Sequence, residues 1–156
     1  MRQLKKIFVV AIILFAIILG INPTTTFAKS DNNKSTYSNN KIVENKEYSS
    51  KADVALYIHT FKKLPKNYIT KNQARELGWQ GGGLDEYKYG GCIGGSRYGN
   101  YEGKLPDKKG RKYYECDIDT LHKSKRGAKR LIYSNDGLIY YTQDHYETFE
   151  LLYGKE

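Results

Sequence analysis

Apolar and polar positions change rhythm three times along the chain. Residues 7–21, "IFVVAIILFAIILGI", form an unbroken apolar run of fifteen residues, shorter than the about 20 that a bilayer span needs. Arg2, Lys5 and Lys6 precede it, and Pro23 and "TTTFA" follow, with small residues up to Ala28. The pattern predicts a secretory signal peptide over 1–28; an uncleaved anchor is the competing reading. Residues 29–49 are rich in Asn, Ser and Lys and poor in apolar side chains. Such a segment buries too little surface to offset the entropy of ordering, which predicts a disordered pro-segment or tail. The remainder, 50–156, is the length of one small domain.

Within that domain the helical rhythm comes first. Ser50 and Asp53 have the spacing of a capping box, and Val54, Ile58 and Phe61 follow at helical intervals up to the basic pair Lys62 and Lys63. Pro65 breaks the pattern. Thr70 and Gln73 open a second, short helix that runs to Leu77 and stops at Gly78. Around Asp85 to Lys88 one helical turn is expected. After Gly91 the period shortens to two, predicting strands at 93–98, 112–118, 129–134, 138–142 and 148–152. Asn135-Asp136-Gly137 is a turn whose glycine accepts positive φ. Helices followed by strands argue for an α+β fold, with the helices on one face of an antiparallel sheet.

Charge narrows the partners without choosing one. The whole chain carries +9, and loss of the three N-terminal cations leaves 23 basic residues against 17 acidic, a net +6. A basic exported protein with fifteen tyrosines suits nucleic acid, anionic cell walls or membrane surfaces. Cys92 and Cys116 are the only cysteines and no Cys-x-x-Cys or His-x-x-x-His spacing occurs, so neither a metal centre nor a cofactor is expected. In an exported chain the two are expected to form a disulfide. A hairpin centred near Lys104 would set them roughly opposite each other.

The candidate chemistry lies on the predicted strands. Glu115 alternates with Tyr114 and Cys116; Arg126 and Arg130 follow four residues apart; Lys71 opens the second helix; His145 sits in the polar link "TQDH" between the last two strands. A carboxylate, an imidazole and several cations meet the needs of metal-free RNA cleavage. One group takes the proton of a ribose 2′-OH, the other protonates the departing 5′-oxygen, and cations neutralise the charge growing on phosphorus. Each residue also has a plainer reading as surface ion pair, solvated basic face or loop polar group.

Four stretches carry a family resemblance: "KLPKNYITKNQARELGW", "IGGSRYGNYEGKLP", "GRKYYECDID" and "RLIYSNDGLIYYTQDHYETF". From about Val54 to Phe149 the chain resembles barnase-type secreted microbial guanyl-preferring ribonucleases. The resemblance implies Glu115 as general base and His145 as general acid, with Lys71, Arg126 and Arg130 as the phosphate-binding cations. It also implies Asp117 as the acid that holds those arginines, and Tyr98, Gly99, Asn100, Tyr101 and Glu102 as the guanine-reading loop. Tyr146 would stack on a base. The implied activity is cleavage of single-stranded RNA after guanosine, through a 2′,3′-cyclic phosphate that is then hydrolysed. A catalytically silent RNA-binding module is the alternative.

The resemblance has departures. Tyr101 and Ser96 stand where the family pattern has an arginine and an aspartate, and one extra residue between Glu115 and Arg130 leaves Lys125 as a fallback for Arg126. His122 and His59 are expected to be bystanders. The resemblance further implies a barstar-like acidic protein inhibitor. The mature protein is expected to be an extracellular monomer with no membrane association.

Overall fold

The computed structural model describes residues 41–156. The signal-peptide expectation for 1–28 lies outside the described residues, as does most of 29–49. Among the described residues no helix is long and apolar enough to cross a membrane.

Both predicted caps open a helix, Ser50 as a simple N-cap and Thr70 with Gln73 as a full capping box. The Ser50 hydroxyl accepts from the Asp53 N–H and opens α1, Lys51–Phe61. Val54, Ala55, Tyr57 and Ile58 are buried, and Lys62 in the left-handed region ends the helix. The Thr70–Gln73 box is reciprocal and opens α2, Lys71–Glu76, which buries Ala74. The expected turn near Asp85 is a single i→i−4 bond, from the Lys88 N–H to the Leu84 carbonyl.

Six strands form one sheet in chain order: β1 Tyr68–Ile69, β2 Cys92–Tyr98, β3 Tyr113–Asp117, β4 Arg130–Ser134, β5 Ile139–Thr142 and β6 Glu150–Tyr153. The α+β expectation holds. β1 has no counterpart in the sequence reading. Two residues are too few to show a period, and β1 exists because it pairs in parallel with Cys92 and Ile93. The other pairings are antiparallel. β6 starts at Glu150 rather than 148, so the β5–β6 link is longer than the alternation suggested.

The strand period divides the core. Cys116, Ile118, Leu131 and Ile139 meet Val54, Ala55 and Ile58 on the α1 face. Tyr113, Ile132, Leu138 and Tyr140 gather with Leu105 in a second cluster, and Glu115 and Asp117 share the strand parity of Tyr113. A third cluster, Ala74, Trp79, Leu84 and Ile93, seats α2.

Two expectations are corrected. Cys92 and Cys116 are both free, buried thiols rather than a disulfide. Gly94, not Cys92, stands opposite Cys116, because Tyr98 pairs with Tyr113 and the hairpin is therefore centred beyond Lys104. Diagonal positions on paired strands are about 7–8 Å apart, beyond the usual Cα span of a disulfide. Gly94 itself has no room for a side chain, since a Cβ there would lie 2.6 Å from that of Cys116.

The second correction concerns the expected tail. Its described end packs on the domain instead of remaining disordered. The Asn67 side chain bonds both the N–H and the carbonyl of Tyr48, the Ser49 carbonyl accepts from the Asp119 N–H at 2.7 Å, and Tyr48 packs on the main core. Glu44 pairs with Lys63 at 2.6 Å. Backbone bonds and one tyrosine anchor this segment, and composition does not register either.

Candidate active site

The first turn of α2 and the middle of β3 face each other, and this brings Lys71 to Glu115. Its Nζ donates to Glu115 Oε1 at 2.6 Å. From the β5–β6 link the Tyr146 hydroxyl donates to Oε2, also at 2.6 Å. Glu115 is only 8% exposed. Burial pushes its pKa up, but the bonds from Lys71 and Tyr146, with the charges of Lys71 and Arg130, outweigh it. The net shift is below the ordinary 4.5. Burial raises the Tyr146 phenol, and the same contact adds to the shift.

Two residues along β3, Asp117 is 1% exposed and holds both arginines. Arg126 grips it in two bonds, Nε to Oδ2 at 2.6 Å and Nη2 to Oδ1 at 2.7 Å. Arg130 is buried; its Nε lies 3.0 Å from Asp117 Oδ1 without the alignment of a hydrogen bond, so the attraction there is between charges. Its Nη1 donates to the carbonyls of Gly127 at 3.0 Å and Lys129 at 2.7 Å. Arg126 leans over the Trp79 ring, 5.7 Å from its centroid, and the Gly83 N–H bonds the Ser124 carbonyl at 2.7 Å. Arg126, not Lys125, therefore joins Asp117.

His145 is exposed and in the left-handed region at φ 59°, as is Tyr146 at φ 76°. The two rings lie 4.6 Å apart. The imidazole makes no hydrogen bond or ion pair to Glu115. What shapes the loop is Asp144, which sequence reasoning missed as a functional support. Asp144 accepts from the Thr142 hydroxyl, the Thr148 N–H and the Thr148 hydroxyl. Those bonds, the Thr148 hydroxyl first, hold its carboxyl at a pKa of about 2. The spacing Thr-x-Asp-x-x-x-Thr was the available signal.

At the Tyr98 end of β2, Tyr98 stacks on Tyr146 with centroids 5.5 Å apart and planes at 27°. The Asn100 side chain donates to the Leu105 carbonyl at 2.8 Å and accepts from its N–H at 3.0 Å, closing the loop. Tyr101 is 98% exposed, its ring folded over Gly99, where any Cβ would strike it. Glu102 pairs with Lys104 at 2.8 Å. Lys104 also donates to the Tyr146 carbonyl at 3.0 Å, tying this loop to the one that carries His145.

The remaining histidines lie outside the cluster. His122 bonds Asp85 at 2.9 Å, and His59 stacks on Tyr153 at 4.4 Å.

A family model described as ribonuclease matches residues 51–153. A ribonuclease of Heyndrickxia coagulans is 50% identical over 98 residues, which is 62% of this chain and 89% of that protein. A ribonuclease of Bacillus intermedius is also 50% identical over 98 residues, covering 62% of this chain and 60% of its own length. Guanyl-specific ribonuclease St of Saccharopolyspora erythraea is 40% identical over 57 residues, 36% of this chain and 56% of that protein. These matches bear out the resemblance read from the sequence, and the chain belongs to the ribonuclease family.

Proposed function

We propose that the protein is an exported endoribonuclease that cleaves single-stranded RNA after guanosine, without a metal. The observation that carries this reading is a buried carboxylate, Glu115, held ionised among Lys71, Arg130 and the Tyr146 hydroxyl. In the first step Glu115 takes the proton of the ribose 2′-OH, using a lone pair left free by Lys71 and Tyr146. The 2′-oxygen attacks phosphorus and the bond to the 5′-oxygen breaks. His145 gives that oxygen its proton, and Lys71, Arg126 and Arg130 neutralise the phosphorane. In the second step water opens the 2′,3′-cyclic phosphate, with His145 as base and Glu115 as acid.

Residues 98–102 read the guanine. Glu102 accepts from the N1 and N2 edge, loop N–H groups contact O6, and Tyr98 and Tyr146 pack on bases. The similarity to a relative named guanyl-specific supports this preference. Asp117 is a positioning residue for the two arginines. The cation groove also suits the carboxylates of a barstar-like inhibitor protecting the producing cell.

Digestion of a defined RNA in EDTA, with cut sites and product ends mapped, tests the reading. Cuts after guanosine with cyclic and then 3′-phosphate ends are expected. RNA binding without cleavage would leave the binding-module alternative standing.

A further inference from the structure

The sheet face that α1 covers is bare at one end. α1 packs over β5 and β6 and ends at Phe61. Beside its last turn a cavity of about 490 Å³ opens, with Tyr114 and Tyr133 among its walls, and Ile58, His59 and Lys62 on the helix side. The two tyrosine rings stack at 5.7 Å and 27°, and the Arg97 guanidinium lies 5.5 Å from the centroid of the Tyr114 ring. Arg97 and Lys62 have no carboxylate partner among the described residues. The acid on the rim, Asp136, is already bound by Arg111 at 2.9 Å and the Ser134 hydroxyl. Lys62 Nζ donates only to the His59 carbonyl, at 2.6 Å, and an aromatic floor edged by two cations without a carboxylate partner fits one base and one phosphate of a single-stranded nucleic acid.

The register connects this groove to the active site. Arg97 pairs with Tyr114 and Tyr98 with Tyr113, so the groove and residues 98–102 share one end of the sheet, on opposite faces. Glu115 lies two residues further along β3, about 7 Å. With the guanine on the loop and its 3′-phosphate at Glu115, a 5′ extension that runs over this end of the sheet passes Arg97. We propose that the groove takes a nucleotide upstream of the cleaved guanosine, with its base against Tyr114 and Tyr133 and its phosphate between Arg97 and Lys62. The inference rests on the ribonuclease reading above.

The test compares GpU with ApApGpU, which differ only on the 5′ side. The wild type should cleave the longer substrate with kcat/KM roughly tenfold higher, the scale of one stacked base. Arg97→Gln, an exposed position, should remove part of that gain, and Arg97→Gln with Tyr114→Leu most of it, both leaving GpU turnover unchanged. Tyr114→Phe should keep the gain. No gain in the wild type, or a gain untouched by both variants, overturns the proposal. GpU turnover reports on the ribonuclease reading separately. Binding of ApApdGpU, which lacks the attacking 2′-OH, measured by fluorescence anisotropy, gives an arm independent of cleavage. Equal affinity when its two 5′ positions are abasic would overturn the stacking.

Discussion

The Tyr146 hydroxyl and Glu115 Oε2 are 2.6 Å apart, and this bond reaches from a loop between β5 and β6 to the middle of β3. It makes one carboxylate report on the position of the loop that carries His145. It also gives Glu115 a second donor besides Lys71, which is why its pKa falls despite burial.

The acid–base pair makes the first prediction. Glu115→Gln and His145→Gln should each lower kcat/KM for GpU by at least about 10², while the pH profile of the wild type is bell-shaped. Near-normal cleavage by His145→Gln would falsify the assignment of the acid.

Tyr146→Phe keeps the ring and loses the bond. The acid limb of kcat/KM, which should lie below pH 4.5 in the wild type, is expected to move upward in this variant. The stability linkage has the same sign. A carboxylate whose folded pKa is depressed contributes stability above its unfolded value and loses it as pH falls through the folded one. The acid unfolding midpoint of Tyr146→Phe should therefore rise. An unmoved limb would show that Lys71 and Arg130 keep Glu115 ionised without Tyr146.

Asp117 is buried between two guanidinium groups. Asp117→Asn leaves both cations short of a counter-charge in a site with little water. A loss of about 3 kcal/mol in urea unfolding is expected, since removing one partner of a buried pair costs more than the pair contributes. Activity should fall as well, because Arg126 and Arg130 lose their common anchor. A variant as stable as the wild type would remove Asp117 from the account.

Asp144 touches the loop but not the reaction. Asp144→Ala should lower kcat by roughly tenfold or more through displacement of His145, with KM less affected. Because its carboxyl titrates at about 2, the loop should keep its order until pH approaches that value. Chemical shifts of the His145 ring across an acid titration would check this.

The rim of the groove gives a prediction about the inhibitor. Tyr101 is fully exposed and uncharged where the family pattern has an arginine. Tyr101→Arg should tighten binding of barstar by adding a cation to the surface that acidic residues approach, chiefly by raising the association rate at low salt. Titration of RNA cleavage with barstar measures it. No inhibition of the active wild type at micromolar barstar would mean that this partner is not shared.

Much of this protein was legible in its sequence, for a local reason. Ser50 with Asp53 and Thr70 with Gln73 mark helix starts because a cap and its partner lie three residues apart. The strands from Cys92 onward show their period within a few residues. The motif stretches brought Lys71, Glu115, Asp117, Arg126, Arg130, His145 and residues 98–102 into view together. Tertiary structure alone decided what depends on distant segments. The pairing of Tyr98 with Tyr113 centres the hairpin beyond Lys104 and leaves Cys92 off Cys116, and no spacing count contains that register. β1 becomes a strand only because β2 lies beside it. The Asn67 side chain holds Tyr48, drawing a polar segment onto the core. The bond from Tyr146 to Glu115 joins residues 31 apart through a loop in which His145 and Tyr146 both adopt positive φ. That conformation is strained for either side chain and persists because Asp144, Thr142 and Thr148 hold it from outside.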